Sequence, residues 1–212
     1  RLGVAGRLRL FGEEFAASMV QSSWIMPRAG ACRRIHAGSS SPPVLLVHGY
    51  GCNSGYWAHL MPLLDAAHIS YASVDLEPMA GDIDGYVPLI ERAVVDLCAA
   101  TGAPKVAIVA HSMGGLVARA WIRSHGLARV ARIVTLGTPH HGTSLARRAP
   151  GANAVQMRRT PDAEPPENTW LQALAGSEDM QARGLITSIY THHDNIVAPQ
   201  TSSHLPGARN IE

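Results

Sequence analysis

The sequence predicts an α/β protein with a doubly wound, mostly parallel sheet and helices on both faces. Short apolar runs alternate with stretches of helical periodicity from residue 44 to residue 136, as expected when each parallel strand is followed by a helix that crosses back over the sheet. The first run, Val44 to Val47, is wholly apolar, which is typical of a strand buried on both faces. At 212 residues, with 46% hydrophobic and 16% charged residues, the chain is long enough for one domain with its own core.

The amino-terminal region, residues 1–42, is predicted to be a helix and a linker that precede this domain. Four apolar residues recur there at helical spacing with charged residues between them, namely Leu8, Phe11, Phe15 and Met19. This pattern predicts an amphipathic helix within residues 1–24. We expect its apolar face to pack against the domain, and contact with a membrane surface is the alternative. Residues 26–43 are rich in Pro, Gly, Ser and Arg and predict a loop.

The domain itself, residues 43–212, begins with three predicted strand–helix units. In chain order the pattern predicts a strand at 44–47, a helix capped by Ser54 that carries Trp57 to Leu64, a strand at 69–76, a helix at 86–100, a strand from Val106, a helix to about His125 and a strand at 133–136. Gly102 and Pro104 are expected to end the second helix. The carboxyl ends of parallel strands meet at one edge of a sheet, so the polar residues that come after these strands should gather there.

Residues 143–183 interrupt the alternation. They contain several prolines and no clear strand, and they predict a cap over the site or a mobile insertion. Residues 184–190 then predict a strand, and residues 208–212 predict the opening of another. We expect the remainder of that last strand and the segment after it to lie beyond residue 212.

A serine stands at the apex of a strand–turn–helix pattern. The apolar run 106–109 leads into Ala110-His111-Ser112-Met113-Gly114, and the apolar face of a helix comes at once after it. Small residues at positions 110 and 114 are needed because strand and helix pass close together at so sharp a turn. The turn is expected to hold Ser112 in a strained backbone conformation and to lift its hydroxyl clear of the sheet. It also places the Met113 amide at a helix N-terminus, where N–H groups are unpaired and negative charge is favoured.

This stretch resembles the nucleophile elbow of the α/β-hydrolase family, in the form found in bacterial lipases and esterases. Ala110 replaces the first glycine of the Gly-x-Ser-x-Gly pattern. The resemblance implies that Ser112 is a nucleophile and that His111 and Gly114 shape the turn around it. An oxyanion hole would take one donor from the Met113 amide.

Two further loops extend the resemblance. His48-Gly49-Tyr50-Gly51 comes after the first strand and resembles the His-Gly oxyanion loop of lipases. Gly49 would allow a close approach of the backbone, the Tyr50 amide would be the second oxyanion donor, and His48 would brace the loop rather than act as a base. Thr138-Pro139-His140-His141-Gly142 resembles a loop beside the nucleophile of many lipases, which implies that His140 helps to shape the pocket.

The acid and the base of a catalytic triad are expected after the nucleophile, in that order. Asp194 comes after a predicted strand, 82 residues beyond Ser112, and resembles the acid turn of the family, while Asp75, also at a strand end, is the second candidate. His204 is the one histidine beyond Asp194 and is a weak candidate for the base, because no strand separates it from the acid. We expect the general base to lie beyond residue 212.

Together these motifs predict a serine hydrolase of carboxylic esters, acting on triacylglycerol or another acyl ester through an acyl-enzyme on Ser112. Acyl transfer or hydrolysis of thioesters or polyesters by the same machinery, and a non-catalytic scaffold of the same fold, are the alternatives. The net charge of +2 and the absence of a basic run do not predict nucleic-acid binding. The eleven histidines are scattered and the three cysteines widely spaced, so no metal site or cofactor is predicted. The resemblance favours the cell envelope or secretion over the cytoplasm.

Overall fold

The computed structural model describes residues 3–159 and 168–212, and within them seven strands form one sheet. The strands are β1 (Arg33–Arg34), β2 (Val44–Val47), β3 (Tyr71–Val74), β4 (Val106–His111), β5 (Val130–Leu136), β6 (Ile186–Ile189) and β7 (Arg209–Ile211). Their order across the sheet is β1-β3-β2-β4-β5-β6-β7. Every neighbouring pair is parallel except β1 with β3. The predicted fold class is therefore confirmed.

Helices pack on both faces of this sheet. The helices of the described residues are α1 (Val4–Val20), α2 (Met61–Ala66), α3 (Val87–Thr101), α4 (Met113–His125), α5 (Ala152–Gln156), α6 (Thr169–Gly176) and α7 (Met180–Gly184). On one face, Leu45 and Val47 join a core with apolar residues of α3 and α4. On the other face, Leu46 packs with Trp57 and with Leu64 of α2. Alternate residues of β2 thus enter two cores, which is why the strand is apolar throughout.

The register of the sheet brings the carboxyl ends of its central strands level. Val47 of β2 pairs with Ala110 of β4, and His111 pairs with Leu136 of β5. The residues that come next in the chain, His48, Ser112 and Gly137, consequently leave the sheet side by side. This edge is where an α/β sheet gathers its site.

The linker and the first helix of the domain differ from their predictions. Arg33 and Arg34, inside the predicted loop, form the antiparallel edge strand β1. The helix predicted from Trp57 to Leu64 is split into a 3₁₀ turn, Ser54–Trp57, and the short helix α2. Asn53, rather than Ser54, caps the turn by accepting the amide of Gly55.

The apolar face of α1 is exposed. Phe11, Phe15 and Met19 are 69%, 59% and 47% exposed, so the expectation that this face packs against the domain is wrong for these side chains. The position of the Leu8 side chain lies outside the described structure. The chain after α1 continues through one π-helical turn, Gln21–Ile25, where Gln21 donates to the carbonyl of Gly55 at 2.7 Å.

In the predicted interruption, residues 143–183, the described part is helical. A 3₁₀ turn, Ser144–Arg148, is followed by α5, α6 and α7, and Thr143 forms an isolated bridge with Arg158. Residues 160–167, which hold three of its prolines, lie outside the described residues. None of the helices in the described ranges is both long and apolar enough to cross a bilayer.

Candidate active site

The turn between β4 and α4 has the geometry that its sequence predicts. Ser112 has φ +50° and ψ −122°, an unusual conformation for a residue with a side chain. Its amide donates to the carbonyl of Leu136 at 2.8 Å, which ties the turn to β5. A Cβ atom at Gly114 would lie 2.5 Å from the carbonyl oxygen of His48 and 2.6 Å from that of Val47. Only glycine therefore allows α4 to start so close to β2.

The loop after β2 lies directly against this turn. A Cβ atom at Gly49 would be 2.9 Å from the Cβ of Ser112 and 2.9 Å from Nδ1 of His111. His48, 2% exposed, makes one ring-nitrogen hydrogen bond with the carbonyl of Gly49 at 2.8 Å and accepts the amide of Leu76 through Nε2 at 2.9 Å. The accepted bond requires a neutral ring, and burial lowers the pKa of His48. These two hydrogen bonds connect the loop after β2 to the chain after β3.

Two backbone amides at this junction remain available. Neither the amide of Tyr50 nor that of Met113 donates a hydrogen bond to another described residue. The first belongs to the loop after β2, and the second begins α4, where the helix offers unpaired donors. The Tyr50 hydroxyl makes a separate hydrogen bond, since it donates to the carbonyl of Pro150 at 2.8 Å.

Asp194 lies beside the same edge of the sheet. Its Oδ1 accepts the amides of Ile196 at 2.7 Å and Val197 at 2.9 Å, which fixes the carboxylate. Its Oδ2 accepts no hydrogen bond from a described residue and lies 3.1 Å from where a Cβ atom at Gly137 would stand. Since Gly137 leaves β5 next to Ser112, the carboxylate has one oxygen without a described partner on the side of Ser112.

The neighbouring rings report the same proximity. Burial lowers the pKa of His111 to about 4, and the charge of Asp194 opposes this shift. The His111 ring stacks on Tyr56 with centroids 4.0 Å apart. Burial raises the pKa of Tyr56 to about 12, with contributions from the charges of Cys52 and Asp194. Both rings therefore stay neutral near pH 7.

In the described residues, no histidine side chain hydrogen-bonds to Ser112 or Asp194. The His204 side chain is exposed, and its carbonyl bonds to Nε2 of His141 at 3.1 Å. His140 is buried, with Nε2 3.2 Å from Oγ1 of Thr135, and its pKa is well below the usual value because of burial and the charge of Arg119. The structure therefore brings Ser112 and Asp194 to one edge of the sheet, and no described hydrogen bond links His204 to either of them.

Both carboxylate oxygens of Asp75, the second candidate for the acid, accept hydrogen bonds from other parts of the chain. Its Oδ1 accepts the amide and the hydroxyl of Ser54 at 2.7 and 2.6 Å. Its Oδ2 accepts the amide of Ala31 at 2.9 Å. The carboxylate joins β3 to the chain that comes after α1, which is a structural role.

Sequence reasoning missed a buried ion pair on the helix that begins after Ser112. Arg119 on α4 is 1% exposed and donates to the Glu178 carboxylate through Nε at 2.5 Å and Nη2 at 2.8 Å. Its Nη1 also lies 3.2 Å from Nδ1 of His140. The pair thus connects the loop 138–142 to α4. An arginine between Ala118 and Ala120, in an otherwise apolar stretch of helix, was the available signal.

A cavity of about 320 Å³ opens in front of Ser112. Most of its lining is apolar, including Pro139, Leu145, Met157 and Val197, and Tyr50 and Arg148 are among the polar residues. Its far wall comes from the interruption between β5 and β6. A mostly apolar cavity with a few polar groups beside a strained serine suits the acyl part of an ester.

Residues 42–185 match the α/β-hydrolase fold family, which is more than half of the chain. The chain belongs to the α/β-hydrolase fold family. Two curated relatives of this α/β-hydrolase are similar over shorter stretches. A triacylglycerol lipase of Burkholderia plantarii is 30% identical over 141 residues, 58% of this chain and 39% of the relative. A triacylglycerol lipase of Pseudarthrobacter phenanthrenivorans is 31% identical over 112 residues, 49% of this chain and 35% of the relative. The matches thus span less than half of either relative.

Solved structures support the fold of this α/β-hydrolase. A lipase of Bacillus licheniformis in its mature form superposes with a TM-score of 0.69 at 17% identity, over 86% of this chain and 87% of that one. A lipase B of Aspergillus fumigatus has a TM-score of 0.64 at 21% identity, over 80% of this chain and 42% of that one. At such identities the likeness establishes the fold alone, and the chemistry has to be argued from the site.

Proposed function

We propose that this chain is a carboxylic ester hydrolase of the lipase and esterase type, with Ser112 as the nucleophile that forms an acyl-enzyme. The observation that carries the proposal is the setting of Ser112. It is held at φ +50°, between two loops whose Tyr50 and Met113 amides have no described partner, at the wall of a largely apolar cavity. The names of the curated relatives support an acyl ester of a lipid as the substrate class.

The reaction can be derived from this arrangement. The Ser112 oxygen attacks the acyl carbonyl, the carbonyl oxygen gains a negative charge, and the two amides donate to it. The alcohol leaves with a proton, and water then releases the acyl group from Ser112. A preorganised donor of this kind typically contributes ~10²–10³ in turnover.

The proton of Ser112 needs a base, and Asp194 is proposed to orient it. The free Oδ2 of the carboxylate is the acceptor that the N–H of an imidazole requires, while the two amides on Oδ1 keep it in place. His204 is the histidine in the described residues that comes after Asp194, and its exposed ring is not engaged. Experiment therefore has to identify the group that accepts the proton of Ser112.

Labelling with a fluorophosphonate tests the nucleophile. We expect the label on Ser112 and expect Ser112→Ala to abolish it, whereas Ser124→Ala on the same helix, a serine that donates to the carbonyl of Ala120, leaves it unchanged. Release of nitrophenol from butyrate and palmitate esters separates an esterase from a lipase. No label and no hydrolysis, with or without added imidazole, would favour the non-catalytic scaffold.

The same assays assign the acid and the base. Asp194→Asn is expected to slow labelling and hydrolysis by roughly 10²–10⁴, and Asp75→Asn is expected to lower stability more than turnover. If His204→Ala slows labelling as much as Asp194→Asn does, His204 supplies the base. If His204→Ala has no effect and added imidazole accelerates labelling of the unaltered chain, the base is not among the described residues.

We also propose that the exposed face of α1 contacts an anionic lipid surface. Phe11 and Phe15 are stacked with centroids 6.2 Å apart, and Trp24, 63% exposed, carries the guanidinium of Arg28 over its ring at 3.7 Å. Apolar rings beside arginines are typical of interfacial helices. Replacing both phenylalanines by serine should weaken binding to phosphatidylglycerol vesicles roughly tenfold. Leu63→Ser on α2, 65% exposed, is the control, and equal loss in both variants would refute the assignment.

A further inference from the structure

A second cavity adjoins the one in front of Ser112. It measures about 450 Å³ and is lined by Ser144, Leu145, Arg147 and Arg148. Leu145 and Arg148 also line the cavity of Ser112. Because they share these two lining residues, we describe the two cavities together as one groove, with its cationic end at Arg147 and Arg148 and its apolar end in front of Ser112.

The cationic end has no compensating acid among the described residues. Arg147 and Arg148 make no hydrogen bond or salt bridge with a described residue, and the described lining of the two cavities contains no carboxylate. By contrast, the arginines at positions 119, 123, 129 and 183 are each paired with a carboxylate. Asp194 is fixed by the amides that come after it and lines neither cavity.

The turn that carries these two arginines is fixed to its neighbours. Arg147 and Arg148 end the 3₁₀ turn Ser144–Arg148. At the start of the turn, the amide of Ser144 donates to the carbonyl of Ala198 at 2.9 Å, and Oγ1 of Thr143 accepts the Ala198 amide at 3.0 Å. Ala146 is buried, whereas Arg147 and Arg148 are exposed and line the second cavity.

We infer that this groove selects an amphiphilic ester with a negatively charged group, a phosphate or a carboxylate, held by Arg147 and Arg148 while its apolar part lies in front of Ser112. The inference rests on the proposed ester hydrolysis and adds the charge of the substrate to it. Guanidinium groups bind phosphate and carboxylate oxygens through two parallel hydrogen bonds. A neutral triacylglycerol offers nothing to this end of the groove.

Binding of dodecyl phosphate below its micellar concentration tests the inference without requiring turnover. We expect the chain to bind dodecyl phosphate at least tenfold more tightly than dodecyltrimethylammonium, measured by calorimetry. The double variant Arg147→Gln/Arg148→Gln should lose about tenfold in affinity for dodecyl phosphate, which is the effect of two partly exposed charge contacts. High salt should remove most of the difference because the charges are screened.

A matched control is Arg92→Gln, a change on α3 at a residue that lines neither cavity. It removes the same kind of charge and should bind dodecyl phosphate as the unaltered chain does. Equal affinity for the anionic and cationic amphiphiles, or equal loss in the double and control variants, overturns the inference. Inorganic phosphate that binds as tightly as dodecyl phosphate would also overturn it, since the apolar end would then contribute nothing.

Turnover separates this inference from the proposed function. If the chain hydrolyses esters but the double variant keeps the ratio of anionic to neutral ester hydrolysis, the charge selection is wrong and the hydrolase stands. If no ester is hydrolysed but dodecyl phosphate binding depends on the two arginines, the groove stands as a binding site and the hydrolase is wrong.

Discussion

Replacing Arg119 by methionine should destabilise the fold more than any exposed charge change. The guanidinium, 1% exposed, makes two bonds of 2.5 and 2.8 Å to a carboxylate that is 2% exposed. Without it, Arg183, at 3.4 Å, is the one cationic partner that Glu178 keeps among the described residues, and a largely uncompensated charge stays buried. Breaking such a pair costs about 3–5 kcal/mol, a large part of the roughly 5–15 kcal/mol that stabilises a domain.

The free energy of unfolding in urea measures this loss. The double variant Arg119→Met/Glu178→Met should be more stable than Arg119→Met alone, because neither charge is then left buried. The control is Arg9→Met, which should cost less than about 1 kcal/mol, since the side chains of Arg9 and its partner Glu13 are 80% and 61% exposed. A loss below about 1 kcal/mol for Arg119→Met, or no recovery in the double variant, would refute the reasoning.

Three other outcomes are expected from the site. Gly114→Ala should lower the free energy of unfolding by about 1–3 kcal/mol, because its Cβ would lie 2.5 Å from a backbone oxygen, whereas Gly176→Ala, which meets no atom within 4 Å, should not. Gly137 has φ +55°, and a Cβ atom there would lie 3.1 Å from Oδ2 of Asp194. Gly137→Ala should therefore lower the free energy of unfolding by about 1–2 kcal/mol and slow ester hydrolysis. Unchanged turnover would count against the proposed role of Asp194. His111 has a pKa of about 4 in the folded state, below its unfolded value near 6.5. Its contribution to the free energy of unfolding is therefore present above pH 6.5 and is lost as the pH falls toward 4. Urea titrations of His111→Gln over this pH range should show a smaller decrease in the free energy of unfolding than those of the unaltered chain.

The elbow could be predicted because its determinants are local. Ser112 lies within a few residues of both a strand and a helix, and the small residue at position 114 is demanded by the carbonyls of His48 and Val47. The bracing role of His48 stays a prediction, and its two ring-nitrogen hydrogen bonds, to Gly49 and Leu76, are compatible with it. The exposed face of α1 could not be predicted, because an apolar stripe does not say what covers it.

The partners of the charged side chains could not be predicted from local sequence patterns. Asp75 and Asp194 both come after strands, and the sequence ranks them only by resemblance. In the structure, both carboxylate oxygens of Asp75 accept hydrogen bonds, from Ser54 and from Ala31. One oxygen of Asp194, beside Gly137, accepts none from a described residue.

The sequence alone determined the alternation of strands and helices between residues 44 and 136 and the turn that presents Ser112, since periodicity and small residues act over a few positions. The tertiary structure alone decided which distant groups meet: Arg119 with Glu178, 59 residues apart, and the two arginines with the cavity of the serine. Contacts between such distant residues depend on the register of the strands and on the path of each loop over the sheet, and no short stretch of the chain encodes either of these.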